Sequence, residues 1–123
     1  MATVVHAVGE DALEDPNRVK VVLDRARRAL YFSRSPIPYT RPGQPRPTTW
    51  QHVGLYAFRR PFLAQFIALP PTAGERAEGL EQLRALEHGH QIHCATVEGF
   101  VSVPVDVPAD VEKVLARLRE RGR

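Results

Sequence analysis

Apolar and polar residues alternate most cleanly over Trp50–Arg60 (WQHVGLYAFRR). His52, Gly54, Tyr56 and Phe58 fall on one side of a strand there, and Val53, Leu55 and Ala57 on the other. The Val53/Leu55/Ala57 side is wholly apolar and is expected to face a core. Ala2–Val8 (ATVVHAV) is rich in β-branched residues and predicts another strand. It begins at the second residue, with nothing ahead of it to cover an edge, an arrangement unusual for a whole domain. Glu10–Asn17 (EDALEDPN) reads as an acidic connector or a single helical turn. Between Arg18 and Ser33, Val19, Val21 and Leu23 alternate, and so do Ala29–Phe32, which predicts two strands. A helix using Val22, Ala26, Ala29 and Leu30 is the competing assignment. The link Asp24–Arg28 lacks the Gly or Asn that a tight hairpin prefers. Gln91–Val97 (QIHCATV) predicts a further strand that buries Ile92, Cys94 and Thr96.

Helical spacing takes over elsewhere. Arg60–Leu69 carries apolar residues at 62, 63, 66 and 67 with a proline near its start, and Pro70-Pro71 ends it. Thr72 to Glu87 predicts a second helix. Glu75 stands there in capping-box register, and Ala77, Leu80, Leu83 and Leu86 share one arc. From Pro108 onward, Val111, Val114, Leu115 and Leu118 recur at the spacing of an amphipathic helix. Its acidic residues come early and its arginines late, matching the helix dipole. Ser33–Thr49, with five prolines and three arginines, is a long extended loop instead.

Composition narrows the class. A length of 123 residues suits one domain, or half of a larger one, with a genuine core. The net charge of +3 is mild and the arginines are scattered, which gives nucleic-acid binding little support. The single cysteine, Cys94, excludes an internal disulfide and fits a reducing cytoplasm. Neither a signal peptide nor a membrane span is expected.

Several residues carry candidate chemistry. His52 and Tyr56 fall on one side of the same strand, a placement that suits a small polar ligand lying on the sheet. The plainer alternative is a half-buried strand with both groups satisfied locally. Arg34, where a strand hands over to the proline-rich loop, could grip a carboxylate or phosphate through two parallel hydrogen bonds, or could simply be solvated. Glu81 and Gln82 flank the apolar arc of the second helix, within reach of a site at the sheet edge. His88, His90 and His93 form an H-x-H-x-x-H pattern that is weak as a metal site, because strand and turn geometry would scatter the rings. Asp106, just ahead of the last helix, could help hold a hard cation such as Mg²⁺, although one carboxylate is not a site.

Four runs together carry a resemblance: VKVVLD…ALYFSRSPIP, QHVGLYAFRR, EGLEQLRALEHGHQIH and PVDVPADVEKV. In this order and spacing they resemble the 3-deoxy-manno-octulosonate cytidylyltransferase family, the CMP-Kdo synthetases, over nearly the whole chain. The SRSPIP and LEQLR motifs are the more specific parts. The likeness maps onto the C-terminal half of the family's fold only. It implies an α/β, Rossmann-like nucleotide-diphospho-sugar transferase fold, with a mixed sheet and flanking helices in one domain over residues 1–123. It makes Arg34, His52, Tyr56, Glu81 and Gln82 contacts for the Kdo sugar acid and Asp106 a Mg²⁺ ligand, and it assigns no catalytic residue. It further implies a cytoplasmic homodimer that activates Kdo with CTP for lipopolysaccharide biosynthesis, using CTP only if the half bearing the nucleotide loop is supplied. Alone, the chain is expected to be inactive. The alternative is a non-catalytic remnant serving as a sugar-acid-binding or dimerisation module.

Overall fold

The computed structural model describes residues 1–99 and 108–121. Five strands form one mixed sheet: β1 (Ala2–Val8), β2 (Lys20–Leu23), β3 (Ala29–Ser33), β4 (Thr49–Ala57) and β5 (His93–Thr96). Their order is β3-β2-β4-β1-β5, and β1 is parallel to β5 while the other neighbours are antiparallel. The helices are α1 (Arg60–Ala68), α2 (Ala73–Glu78), α3 (Gln82–Glu87) and α4 (Pro108–Arg121), and one 3₁₀ turn spans Glu10–Ala12. β1 is therefore an interior strand, paired on both sides.

The two-strand assignment of Arg18–Ser33 holds, and the turn shows how a hairpin closes without glycine. Asp24 Oδ1 accepts from the backbone N–H groups of Ala26 and Arg28, both at 2.8 Å, while Arg27 adopts φ 59°. Arg28 Nε donates to Asp24 Oδ2 at 2.7 Å. An aspartate that hydrogen-bonds the chain just beyond it supplies the bend.

The faces of β4 are the reverse of the sequence expectation. Leu55 is 63% exposed, and Ala57 is exposed too. The core lies instead beneath His52, Tyr56 and Phe58. One cause is a run of rings: Phe58 lies 5.6 Å from Phe66 and 6.3 Å from Phe62, ring centre to ring centre, and this fastens α1 over that face. The other is an irregularity in the β1–β4 ladder. Thr3 pairs with Tyr56 but Val4 pairs with Val53, so Gly54 and Leu55 bulge outward. Strict alternation is lost within the stretch where it looked cleanest.

The expected helix from Thr72 to Glu87 is two helices. Gly79 adopts φ 63°, a left-handed conformation that ends α2. Ala77 consequently leaves the apolar arc and is exposed, while Leu80, Leu83 and Ala85 are buried. Glu75 and Thr72 form the expected capping box, with Glu75 accepting from Thr72 N at 3.2 Å, and a distant carboxylate reinforces it. Glu87 accepts from Gly74 N at 3.1 Å, from Glu75 N at 3.3 Å and from the Thr72 hydroxyl. Arg84 pairs with Glu75 and ties the two helices together, holding the Glu75 carboxyl below the usual range.

In β5, Ile92 and Cys94 are buried as expected, but Thr96 is exposed. The apolar stripe of α4 is largely open, with Val111 46%, Leu115 46% and Leu118 59% exposed. The approach to that helix, Asp106 included, lies outside the described residues.

Phe66 is buried and Ile67, its neighbour, is 70% exposed. Phe66→Ala is expected to cost about 3–5 kcal/mol, and Ile67→Ala less than about 0.5 kcal/mol. Urea denaturation of both variants measures the difference, and equal losses would mean that α1 does not pack through Phe66.

Candidate functional site

Arg34 follows directly on β3, and its guanidinium is not loose. Nε donates to Glu78 O at 2.7 Å, Nη1 to Pro16 O at 3.0 Å and Nη2 to Gly79 O at 3.4 Å. A guanidinium carries five N–H donors, so two remain for a ligand. The backbone around it is fixed as well. Glu78 accepts from Ser33 Oγ at 2.6 Å and from Arg34 N at 2.9 Å. Lys20, fully buried, donates to Arg34 O at 2.6 Å and to Asp15 O at 2.8 Å. Burial depresses the pKa of this ammonium, partly offset by the nearby Asp15, Glu14 and Glu78 carboxylates.

Ser33 and Gln51 both pair with Lys20. Arg34 and His52, the next residue in each case, therefore flank Val19 at about two strand spacings, roughly 10 Å. His52 N donates to Val19 O at 2.8 Å. The His52 ring meets Phe32 edge-on at 5.1 Å and lies 5.3 Å from Tyr56. Its Nε2 is 2.8 Å from Thr3 Oγ1. The Tyr56 phenol is held in its protonated form, first by burial and then by the negative charge of Glu81. Hence Glu81, on the turn before α3, faces the same end of β4 as Tyr56.

Gln82 is not the boundary residue its spacing suggested: it is 3% exposed, and its Nε2 has no hydrogen-bond partner among the described residues. A buried donor left unmet costs about 1–3 kcal/mol. Together these groups offer donors (Arg34, Gln82, Tyr56) and acceptors (Glu81, His52) within one strip of sheet and helix. That inventory suits a ligand with an anionic end and several hydroxyls.

The histidines of the H-x-H-x-x-H pattern go separate ways. His88 reaches Pro70 O at 3.1 Å, His90 packs edge-on against Phe62 at 4.9 Å, and His93 is exposed on β5. Among the described residues no group of three His, Cys, Asp or Glu side chains could hold a metal. A cavity of about 630 Å³ lies between Ala57, Phe58, Arg59, Phe62, His90 and His93, and none of the five predicted site residues lines it. Among the described residues no helix is long and apolar enough to cross a membrane.

Sequence reasoning missed three residues that shape the site: Thr3, Lys20 and Glu78. Lys20 was visible as a charge inside an apolar strand, VKVVL. Thr3 and Glu78 gave no signal, since each acts on a segment more than forty residues away.

Comparisons with known proteins agree with one another. Residues 1–92 match the family described as cytidylyltransferase. The chain is 50% identical to the 3-deoxy-manno-octulosonate cytidylyltransferase of Myxococcus xanthus, across 99% of its own length and 49% of the relative's. It is 50% identical to the protein of the same name from Chlorobaculum tepidum, across 89% and 44%. Its fold superposes with a TM-score of 0.89 and 42% identity on a CMP:2-keto-3-deoxy-manno-octonic acid synthetase solved in complex with CTP, over 98% of this chain and 49% of that one. The chain thus spans about half the length of the curated relatives it matches.

Burial of the His52 ring depresses its pKa from 6.5 to about 4. Between those values the unfolded chain binds a proton that the folded chain refuses, so this contribution is complete above about pH 6.5 and is lost as pH falls toward 4. The loss attributable to His52 is expected to reach about 3 kcal/mol near pH 4. Urea denaturation across pH 4–7 should give a shallower acid decline for His52→Asn than for the wild type. Parallel curves would show that His52 titrates normally.

Proposed function

The chain belongs to the cytidylyltransferase family, and from that premise we propose that it is the sugar-acid-binding part of an enzyme that joins Kdo to CMP. In this reaction the anomeric hydroxyl of the sugar acid attacks the α-phosphate of CTP and pyrophosphate leaves. The task of this chain is to hold and orient the nucleophile, which is how much of the barrier to phosphoryl transfer is lowered. Arg34 takes the sugar carboxylate with its two spare N–H groups, Glu81 and His52 accept from hydroxyls, and Tyr56 and Gln82 donate.

The observation that carries this reading is the clamped Arg34 guanidinium, held by three backbone carbonyls with two N–H groups to spare. A loose arginine would have to be ordered by its ligand at an entropic cost, whereas this one is ordered beforehand. The nucleotide loop and the cation belong to the rest of the reading. Mg²⁺, when bound, would neutralise triphosphate charge, and Asp106 is the residue of this chain assigned to it. A homodimer would cover apolar side chains such as Leu30, 60% exposed, and Tyr39, 82% exposed. A cytoplasmic setting accords with the lone, buried Cys94 thiol.

The ¹⁵N-labelled chain titrated with Kdo is expected to show amide shifts near His52 and Tyr56. Glu81→Ala should weaken this binding by roughly 5- to 150-fold, the equivalent of an unmet buried partner. Glu112→Ala, an exposed change on α4, should leave it intact. No shifts in the wild type, or equal effects of the two variants, would leave a structural module without the sugar site.

The same preparation, given CTP and Kdo with Mg²⁺, is expected to release no pyrophosphate, because no nucleotide-cradling loop is assigned to this chain. Metal-dependent release would overturn that half of the proposal.

A further inference from the structure

The contacts around Thr3 go beyond assigning His52 as a ligand contact. Thr3 Oγ1 lies 2.7 Å from Leu55 O and 3.3 Å from Val53 O, the carbonyls that flank the β4 bulge. It also lies 2.8 Å from His52 Nε2. A carbonyl can only accept, so at 2.7 Å the single hydroxyl proton of Thr3 is committed to Leu55 O. If His52 carried its proton on Nδ1, the Nε2 lone pair would face the threonine oxygen with no proton between them. We infer that Thr3 is a positioning residue that fixes the tautomer of His52, with the proton on Nε2 donated to Thr3 and Nδ1 left as a hydrogen-bond acceptor for an incoming hydroxyl.

The surroundings support the neutral ring. Phe32 and Tyr56 enclose it, and its depressed pKa keeps the imidazolium from forming near neutrality. No hydrogen bond reaches Nδ1 among the described residues and the residue is only partly buried, so this nitrogen keeps a lone pair to offer a ligand. An acceptor nitrogen repels a carboxylate and selects an O–H. This deepens the proposed function and rests on it for the ligand's identity: the sugar acid must lie with its carboxylate toward Arg34 and a hydroxyl toward His52. The bulge is what makes the device possible, because it frees the Leu55 carbonyl from the ladder and lets one threonine hydroxyl serve both the backbone and the ring.

The test begins with the unliganded 123-residue chain. Long-range ¹H–¹⁵N correlation of the imidazoles, with His52→Asn to assign the signal, should show a protonated Nε2 and a bare Nδ1 at pH 7. Thr3→Val, which keeps the shape and removes the hydroxyl, should blur that signature into a tautomer mixture and weaken Kdo binding about tenfold. Thr3→Ser, which restores the hydroxyl, should restore both. A protonated Nδ1 in the wild type, or a valine variant that keeps both the signature and the affinity, would overturn the inference. A wild type that shows the expected tautomer but no Kdo response would sink the proposed ligand and leave the role of Thr3 standing.

Discussion

An ammonium taken out of water must be met by oxygen, and Lys20 is met by two carbonyls from opposite ends of the chain segment that surrounds it. Asp15 O belongs to the acidic connector and Arg34 O to the residue that leaves β3. Leaving this charge unmet would cost several kcal/mol, so the connector and the end of β3 are obliged to converge on β2. That convergence puts Pro16 within reach of the Arg34 guanidinium. It also presents Ser33 and the Arg34 amide to Glu78. The cationic end of the candidate site is thus a product of how one buried lysine is satisfied.

The anionic and neutral end has a different origin. Rings from Phe32 through His52, Tyr56 and Phe58 to Phe66 run under the helices, with centres about 5 to 6 Å apart. Burial among them holds His52 unprotonated and Tyr56 protonated at neutral pH. Both groups are therefore neutral hydrogen-bonding partners, and net charge at the site is left to Arg34 and Glu81. A polyhydroxylated acid needs that division between one charged grip and several neutral ones.

Much of this was legible in the sequence, because most strands and helices bury enough of one face to leave a periodic trace. All five strands stand where alternation or β-branched composition placed them, and the cytidylyltransferase resemblance agrees with the comparisons. What failed was local and had local causes. The bulge at Gly54 and Leu55 interrupts a period that reads as unbroken. The left-handed Gly79 divides a helix whose apolar arc runs straight through it in the sequence. Asp24 replaced the glycine that a hairpin usually needs, through hydrogen bonds that only coordinates show. Arg34, His52, Tyr56, Glu81 and Gln82 were named in advance, but the groups that orient them were not. Thr3 and Glu78 act across long sequence separations, and such contacts leave no periodic mark; Lys20 showed only as a charge inside an apolar strand.

The break at Gly79 has a consequence for the width of the site. The carbonyls of Glu78 and Gly79 hold Arg34 from the last turn of α2. Two and three residues further on stand Glu81 and Gln82, at the start of α3. The distance from cation to carboxylate is therefore set by a few peptide units, whose bond lengths and planarity scarcely vary, and not by the mutual placement of larger bodies. Such an arrangement works as a fixed gauge. Under the proposed function it would measure the span between the acid group of a guest and its hydroxyls.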